Sequence, residues 1–458
     1  MVDATRRAAP SGRALLWLLV IAAMATVCAA AGAQPAAPRL PSGIDLAKPL
    51  TLEDCARIAL AVNPFLAIAQ DSVRQATAAV TQTRAAQLPA LALEGSASAA
   101  KRRGGAGAGG GAVSAGSSST TSWGTDLVLT QTLYQSGLFE EVRSAKASEK
   151  ASRFGLVDAR RTVILSVTES YYAALAAKAL VEVAGRALGT STRHVEAARA
   201  KIAAGTAAPA DLYPFQVEMA QARLGVITAE NQARTSLTTL KEAIGLPAEV
   251  SLQLAEELGR PPLAEELPDL LETAYRSRPD ILQQQAVVQS VRLSHRVAEI
   301  QRGPVLSVAG NTSYAVGDTS RGAAGQIQAG VSFPVFDGWL TKARADSARA
   351  AANSASQTLR QLRISVGAQV EQSYLDAVAA SNRIDAAEVA VQAAQVSLDM
   401  AEGRYAAGKG VGTVIDVTDA QLKLQQAEVD RVQAYYDYNT ALAALRAAIG
   451  QLAVPGAK

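Results

Sequence analysis

The sequence predicts a mainly α-helical fold with a small β-barrel, built from two equivalent halves. Each half should hold two very long helices and a β-hairpin. The first observation is an internal duplication. Asn63-Pro64 and Arg278-Pro279 stand at the same spacing as Pro89 and Pro304. Leu133-Tyr134-Gln135-Ser136-Gly137 returns as Val335-Phe336-Asp337-Gly338-Trp339, and Ser170-Tyr171 as Ser373-Tyr374. Asp211, Gln216, Ala222, Leu237 and Ile244-Gly245 return, at one constant spacing, as Asp416, Gln421, Ala427, Leu442 and Ile449-Gly450. The spacing contracts mainly across Gly104–Ser122, a Gly/Ser tract that the second half largely lacks. A repeat this long is not a solenoid of short units. The second observation is the placing of proline: none lies between Pro89 and Pro209, and none between Pro334 and Pro455. The third is a switch to period-2 alternation in the segments that precede the long helices.

In chain order, Arg6, Arg7 and Arg13 precede the apolar run Ala14–Val27, and Ala31-Gly32-Ala33 offers a small-x-small cleavage site. Val27 before Cys28 departs from the small residue that lipid attachment requires. With the leader removed only Cys55 remains, which excludes an intrachain disulfide. The expected organisation is a signal peptide over 1–33 and a linker over 34–50. A first repeat follows over 51–246 with its hairpin at about 88–134, then a connecting stretch over 247–267. A second repeat covers 268–452 with its hairpin at about 303–336, before a tail over 453–458.

Helices are expected at Pro64–Gln87 and Pro279–Gln301, each opened by Pro in its first turn. The longest run over Ser136–Ala204 and Gly338–Ala407. At ~1.5 Å per residue each spans roughly 100 Å, a length that suggests a coiled coil or helical tube. Gly205 and Gly408 end them as C-terminal caps do. Second long helices follow at Asp211–Ile244 and Thr413–Ile449.

The strands are expected at Leu88–Ala100, Ser122–Tyr134, Val305–Val316 and Gln326–Phe336. Trp123, Leu127, Leu129 and Leu133 share one face, opposite Asp126, Thr130 and Thr132. Ile327, Val331, Phe333 and Val335 alternate with Gln326, Gln328 and Ser332 in the same way. One apolar face and one small polar face over ~10 residues is the pattern of an outer-membrane strand. Trp123, Tyr134, Tyr314, Phe336 and Trp339 fall at strand ends, where aromatic girdles meet the membrane interfaces. Four strands cannot close a barrel, and an open edge is not viable in lipid. The chain must therefore combine its strands with those of other copies, and three copies give twelve.

Several other signals carry no chemistry. A net charge of +3 gives no argument for nucleic acid. The Gly-x-Gly-x-x-Gly in Gly105–Gly110 has no strand before it or helix after it, and reads as part of an exposed loop. Lys101-Arg102-Arg103 reads as its solvated flank. His194 and His295 stand apart and are expected as surface helix residues. No catalytic constellation, cofactor fingerprint or metal-ligand spacing stands out. Tyr435, Tyr436 and Tyr438 are expected to pack between helices. A trimeric coiled-coil adhesin is the rival in a different class; it would place its strands in one terminal anchor.

Long helix, hairpin and long helix, duplicated behind a signal peptide, resemble the TolC family of outer-membrane efflux and type I secretion channels. The most specific stretch is Tyr405-Ala-Ala-Gly-Lys-Gly-Val-Gly-Thr-Val-Ile-Asp416-Val-Thr-Asp419-Ala420, with Gly205-Thr-Ala-Ala-Pro-Ala-Asp211 as its first-half counterpart. The resemblance implies a homotrimer with a twelve-stranded barrel in outer-membrane lipid and an α-helical tunnel across the periplasm of a Gram-negative cell. It implies partnership with a periplasmic adaptor and an inner-membrane transporter, and no enzymatic activity. It implies a periplasmic gate at Asp416, Asp419, Asp211, Lys409 and Tyr405. Adaptor contact is implied at Ala204, Gly205, Thr206, Ala207, Ala407, Gly408 and Lys409. Asp416 and Asp419 lie one turn apart on one face, so a trimer would form carboxylate rings; the same residues also suit helix capping. The chain departs from the family in having two more residues between Tyr405 and Asp416. Lys409 facing Asp211 is the expected substitute for the family's arginine.

Overall fold

The computed structural model describes residues 48–102, 118–255, 258–263, 266–317, 321–407 and 412–451. The expected leader, the Gly/Ser tract up to residue 117, Gly408-Lys409 and the C-terminal tail lie outside these residues. The helices are α1 (Leu52–Val62), α2 (Pro64–Ala85), α3 (Leu138–Ala203), α4 (Leu212–Ile244), α5 (Leu267–Ser277), α6 (Pro279–Ile300), α7 (Leu340–Ala407) and α8 (Val414–Ala448). The strands are β1 (Ala90–Arg102), β2 (Ser118–Gln135), β3 (Val305–Gly317) and β4 (Arg321–Ser332). The two halves thus follow one order of elements. The short helices α1 and α5 were not foreseen. Thr51 and Asp54 start α1 with a capping box, but eleven residues carry too few helical repeats to stand out beside a proline.

All four strands form one antiparallel sheet in the order β1-β2-β3-β4, so the halves join through β2 and β3. Leu93 pairs with Leu127, Leu91 with Leu129, and Gly310 with Ile327, which puts the large apolar residues on one face. Glu94, Asp126 and Ser313 lie in register on the other. A bulge between Thr132 and Tyr134 shifts the register against β3. It lets both Leu133 and Tyr134 stand exposed, where strict alternation would have turned Tyr134 away. β4 ends at Ser332, short of the expected Phe336, because Pro334 has no N–H to give a ladder. Ser118–Ser122 belong to β2 and not to the loop tract. The two edge strands are rich in Ala, Gly and Ser; the inner strands carry the Trp, Tyr and all of the Thr.

Below the sheet, α3 packs along α4 and α7 along α8, as two coiled pairs that meet through α3 and α8. The apolar cores repeat with the halves. Ile58, Val167, Tyr171, Leu240 and Ile244 are buried in one; Leu270, Ile281, Val370, Leu445 and Ile449 in the other. Matching polar contacts close each core. Asn63 Nδ2 donates to Ala243 O (2.8 Å), and Arg278 Nη1 donates to Ala448 O (3.0 Å). The connecting stretch is pinned by α8: Asn439 Nδ2 donates to Gly259 O (2.8 Å) and Tyr438 Oη donates to Pro261 O. Where sheet meets helices, a Cβ on Gly303 would stand 1.7 Å from Ser136 Oγ, so only glycine fits that approach.

Candidate functional site at the helix turns

The turns between α3 and α4 and between α7 and α8 lie at the end of the helices farthest from the sheet. Gly205 ends the first with φ +74° and open space around a would-be Cβ. Ala204, Gly205, Thr206 and Ala407 are exposed and Ala207 is half-buried. The tip therefore offers bare backbone and small side chains to anything that approaches it. Gly408 and Lys409 lie outside the described residues.

Asp416 and Asp419 are both exposed, one turn apart at the start of α8. Within one protomer the Asp416 carboxylate completes a capping box. Thr413 N and Thr413 Oγ1 each donate to Asp416 Oδ2 at 2.8 Å, and Asp416 N donates to Thr413 Oγ1 at 3.2 Å. The backbone and hydroxyl donors of Thr413 hold the Asp416 carboxyl below its ordinary pKa, helped by the charge of Arg404. Arg404, immediately before Tyr405, is the cation the sequence reading passed over. Asp419 pairs with Lys423 at 2.8 Å. It lines a cleft of about 520 Å³ between the two coiled pairs, together with Glu218, Gln221 and the buried Gln421.

The Asp211 charge reaches Tyr405, whereas the expected partner of Asp211, Lys409, lies outside the described residues. Asp211 is half-buried in the 3₁₀ turn that leads into α4 and makes no side-chain cap. Burial, and then the Asp211 charge, push the Tyr405 hydroxyl up in pKa. The Tyr405 ring packs edge-on against Phe215 with centroids 5.6 Å apart. Lys201 Nζ sits 3.8 Å over that ring and donates to Tyr405 O at 2.8 Å. Lys201 and Phe215 were missed, since neither lies in the turn motif; their helical spacing alone does not separate them from ordinary packing residues.

His194 corrects an expectation. It is buried at 9% exposure, not a surface residue. Its Nδ1 lies 3.3 Å from both oxygens of Glu218 on α4, and its Nε2 lies 3.0 Å from Glu402 Oε1 on α7. The signal was present as a histidine on the apolar seam of α3, with Val195 and Ala198 buried beside it. Its carboxylate partners sit on other helices and cannot be read from spacing. Among the described residues no group of three or more His, Cys, Asp or Glu is placed to hold a metal ion.

At the opposite end, Trp123, Tyr134, Tyr314, Phe336 and Trp339 are all about half or more exposed. Trp339 takes a positive φ of 69°, unusual for a bulky residue, and Lys342 Nζ lies 5.5 Å from its ring. No described helix is long and apolar enough to cross a membrane.

Comparison with known proteins agrees with this architecture. The chain is 26% identical to the pyoverdine export outer membrane protein OpmQ of Pseudomonas aeruginosa over 67% of its length, a match that spans 64% of OpmQ. It is 25% identical to outer membrane protein TolC of Escherichia coli over 71% of its length, spanning 69% of TolC. The solved structure of the outer-membrane channel OprN superposes with a TM-score of 0.72 at 18% identity, covering 92% of this chain and 96% of OprN. Residues 56–246 and 270–451 match the family described as outer membrane efflux protein. With both repeats inside that match and the adhesin alternative left without support, the chain is an outer-membrane protein and belongs to the outer membrane efflux protein family.

Proposed function

We propose that three copies of this chain form a passive exit duct from the periplasm to the cell exterior, gated at the helix turns. The observation that carries this reading is the open sheet. β1 and β4 each have one unpaired edge, and edges in lipid must be paired. Joining β4 of one copy to β1 of the next in three copies closes a twelve-stranded barrel. Its apolar face meets lipid, and the five aromatics Trp123, Tyr134, Tyr314, Phe336 and Trp339 mark the membrane interfaces. The face bearing Glu94, Asp126 and Ser313 lines the lumen. The coiled pairs continue the duct as a tunnel, and the turns at Gly205 and Ala407–Lys409 meet a periplasmic adaptor bound to an inner-membrane transporter. That transporter supplies the energy. A duct of this kind serves small-molecule efflux or type I protein secretion.

Detergent-solubilised mature protein is expected to show a protein mass near three protomers by light scattering. A stable monodisperse monomer that keeps all its β-structure would overturn the reading.

The gate is assigned to Asp416 and Asp419, with Asp211, Tyr405 and the Lys409 turn closing around them. In a trimer six carboxylates face one axis and favour cations over anions. In planar bilayers, Asp416→Asn with Asp419→Asn is expected to lower cation selectivity and block by multivalent cations by on the order of tenfold, about 1.4 kcal/mol of lost attraction. Unchanged selectivity would leave the two residues as a helix cap and a surface ion pair only.

A further inference from the structure

A single imidazole lies between two carboxylates where the two coiled pairs meet. Glu218 approaches Nδ1 of His194 and Glu402 approaches Nε2. A neutral imidazole has one donor and one acceptor nitrogen; only the imidazolium has two donors. With ionised carboxylates on both sides, a neutral ring makes one hydrogen bond and turns a lone pair on the other carboxylate. The arrangement is complete only with the proton bound.

Among the described residues Glu218 and Glu402 form ion pairs with His194 and with no other cation, and Arg193 bonds Thr190 instead. From α3, Arg193 and Lys201 line the same cavity, and Lys201 is engaged with Tyr405. From α7 come Glu402 and Tyr405; α4 contributes Glu218 and the apolar Phe215, whose ring centroid lies 5.3 Å from that of His194. From α8, Val417 lines the cavity, and Asp419 shares the adjoining cleft with Glu218. His194 stands roughly three helical turns from Gly205.

We propose that His194 is a proton-operated clamp on the duct: protonated, it ties α4 and α7 to α3 and holds the two coiled pairs together, and deprotonated, it releases one of them. The proposal rests on the duct reading and adds a regulator to it. Burial opposes charge on the ring, but the hydrogen bonds and charges of Glu218 and Glu402 outweigh it and raise the pKa above that of ordinary histidine. A raised pKa gives a contribution that is complete in acid and is lost as pH rises through the raised value. Acid therefore holds the mouth closed, and alkaline conditions loosen it.

The test is the open fraction of the trimer in planar bilayers between about pH 5.5 and about pH 8.5, the range over which histidine titrates. The wild type should open more with rising pH, by about tenfold, a coupling of ordinary size. His194→Gln has nothing to titrate and should be open and flat. Glu402→Gln places an amide donor against the acceptor nitrogen of the neutral ring, so it should stay closed and flat, the opposite of His194→Gln. His295→Gln should keep the wild-type step; because the chain has two histidines, it also leaves His194 as the single imidazole seen by NMR. A pH step that survives in His194→Gln, or a conducting wild type without one, overturns the clamp. Absence of any conductance instead overturns the duct. The NMR titration needs no current, and a His194 midpoint at or below the ordinary value overturns the clamp by itself.

Discussion

Arginine at both Leu93 and Leu127 is expected to abolish assembly in the outer membrane. The two residues are direct partners across β1 and β2, on the apolar face and between the levels of Trp123 and Tyr134. They are 73% and 42% exposed, so neither is held by the protomer's own core. In lipid, each arginine near the bilayer midplane costs about 2–4 kcal/mol, and two like charges directly opposite add to that. A trimer carries the pair three times. Six arginines together cost about 12–24 kcal/mol, as much as or more than the roughly 5–15 kcal/mol by which folded proteins are stable. Ser96→Arg, from the opposite face and beside Gly124, should assemble normally and narrow the lumen, with reduced conductance. The measurement is the yield of heat-resistant trimer in outer-membrane fractions. Normal trimer yield from the Leu93/Leu127 double variant would show that this face does not meet lipid.

Arg278→Ala should produce the largest loss of stability away from the membrane. The residue is 4% exposed. Its Nη2 donates to Asp280 Oδ2 at 2.7 Å, and its Nη1 to Gln369 Oε1 at 2.8 Å and Ala448 O at 3.0 Å. One guanidinium thus joins the start of α6, the middle of α7 and the end of α8. Removing one partner of a buried pair costs about 3–5 kcal/mol, because the other is left without compensation. Lysine should not restore it, since a point charge cannot serve three directions at once. The equivalent Asn63→Ala should cost less, about 1–3 kcal/mol, for the lost neutral bond to Ala243 O and the lost helix cap on Phe65 N. Thermal melting followed by circular dichroism distinguishes these outcomes. Burial pushes the Asp280 carboxyl up, but Arg278 more than offsets this and holds it below the usual range. That contribution is present above the ordinary aspartate pKa of ~3.9 and is lost as pH falls through the lowered value. The gap between wild type and Arg278→Ala should therefore shrink in acid.

The fold was legible because its signals are long. A proline-free stretch that yields the helix Leu138–Ala203 leaves little room for another reading, and the duplication supplied a second witness for each element. What escaped was short or depended on partners distant in sequence. The bulge at Thr132–Tyr134 is a relation between two strands, and the alternation of one strand does not contain it. His194 looked like a surface histidine because Glu218 and Glu402 belong to other helices. The motif at the turns singled out Asp211 and Tyr405 but paired Asp211 with Lys409; that the Asp211 charge acts on the Tyr405 hydroxyl is a relation between helices. It did not disclose that Asp416 is held by Thr413, or that Arg404 acts on it, because capping and ring formation ask for the same residue at the same place.

The composition of the edge strands bears on the protomer before it finds its copies. On the duct reading, a protomer that has not yet met its copies has two unpaired ladder edges, at β1 and β4. Such edges recruit any extended segment. In β1 and β4, Ala, Gly and Ser give little side-chain reward to a chance partner. Correct and incorrect pairings are both weak in water, and mistakes can dissolve. Only in lipid, where an open ladder is intolerable, does the same weak seam become committed. If three copies close the barrel as proposed, its three seams are where reversibility in transit is exchanged for permanence on arrival.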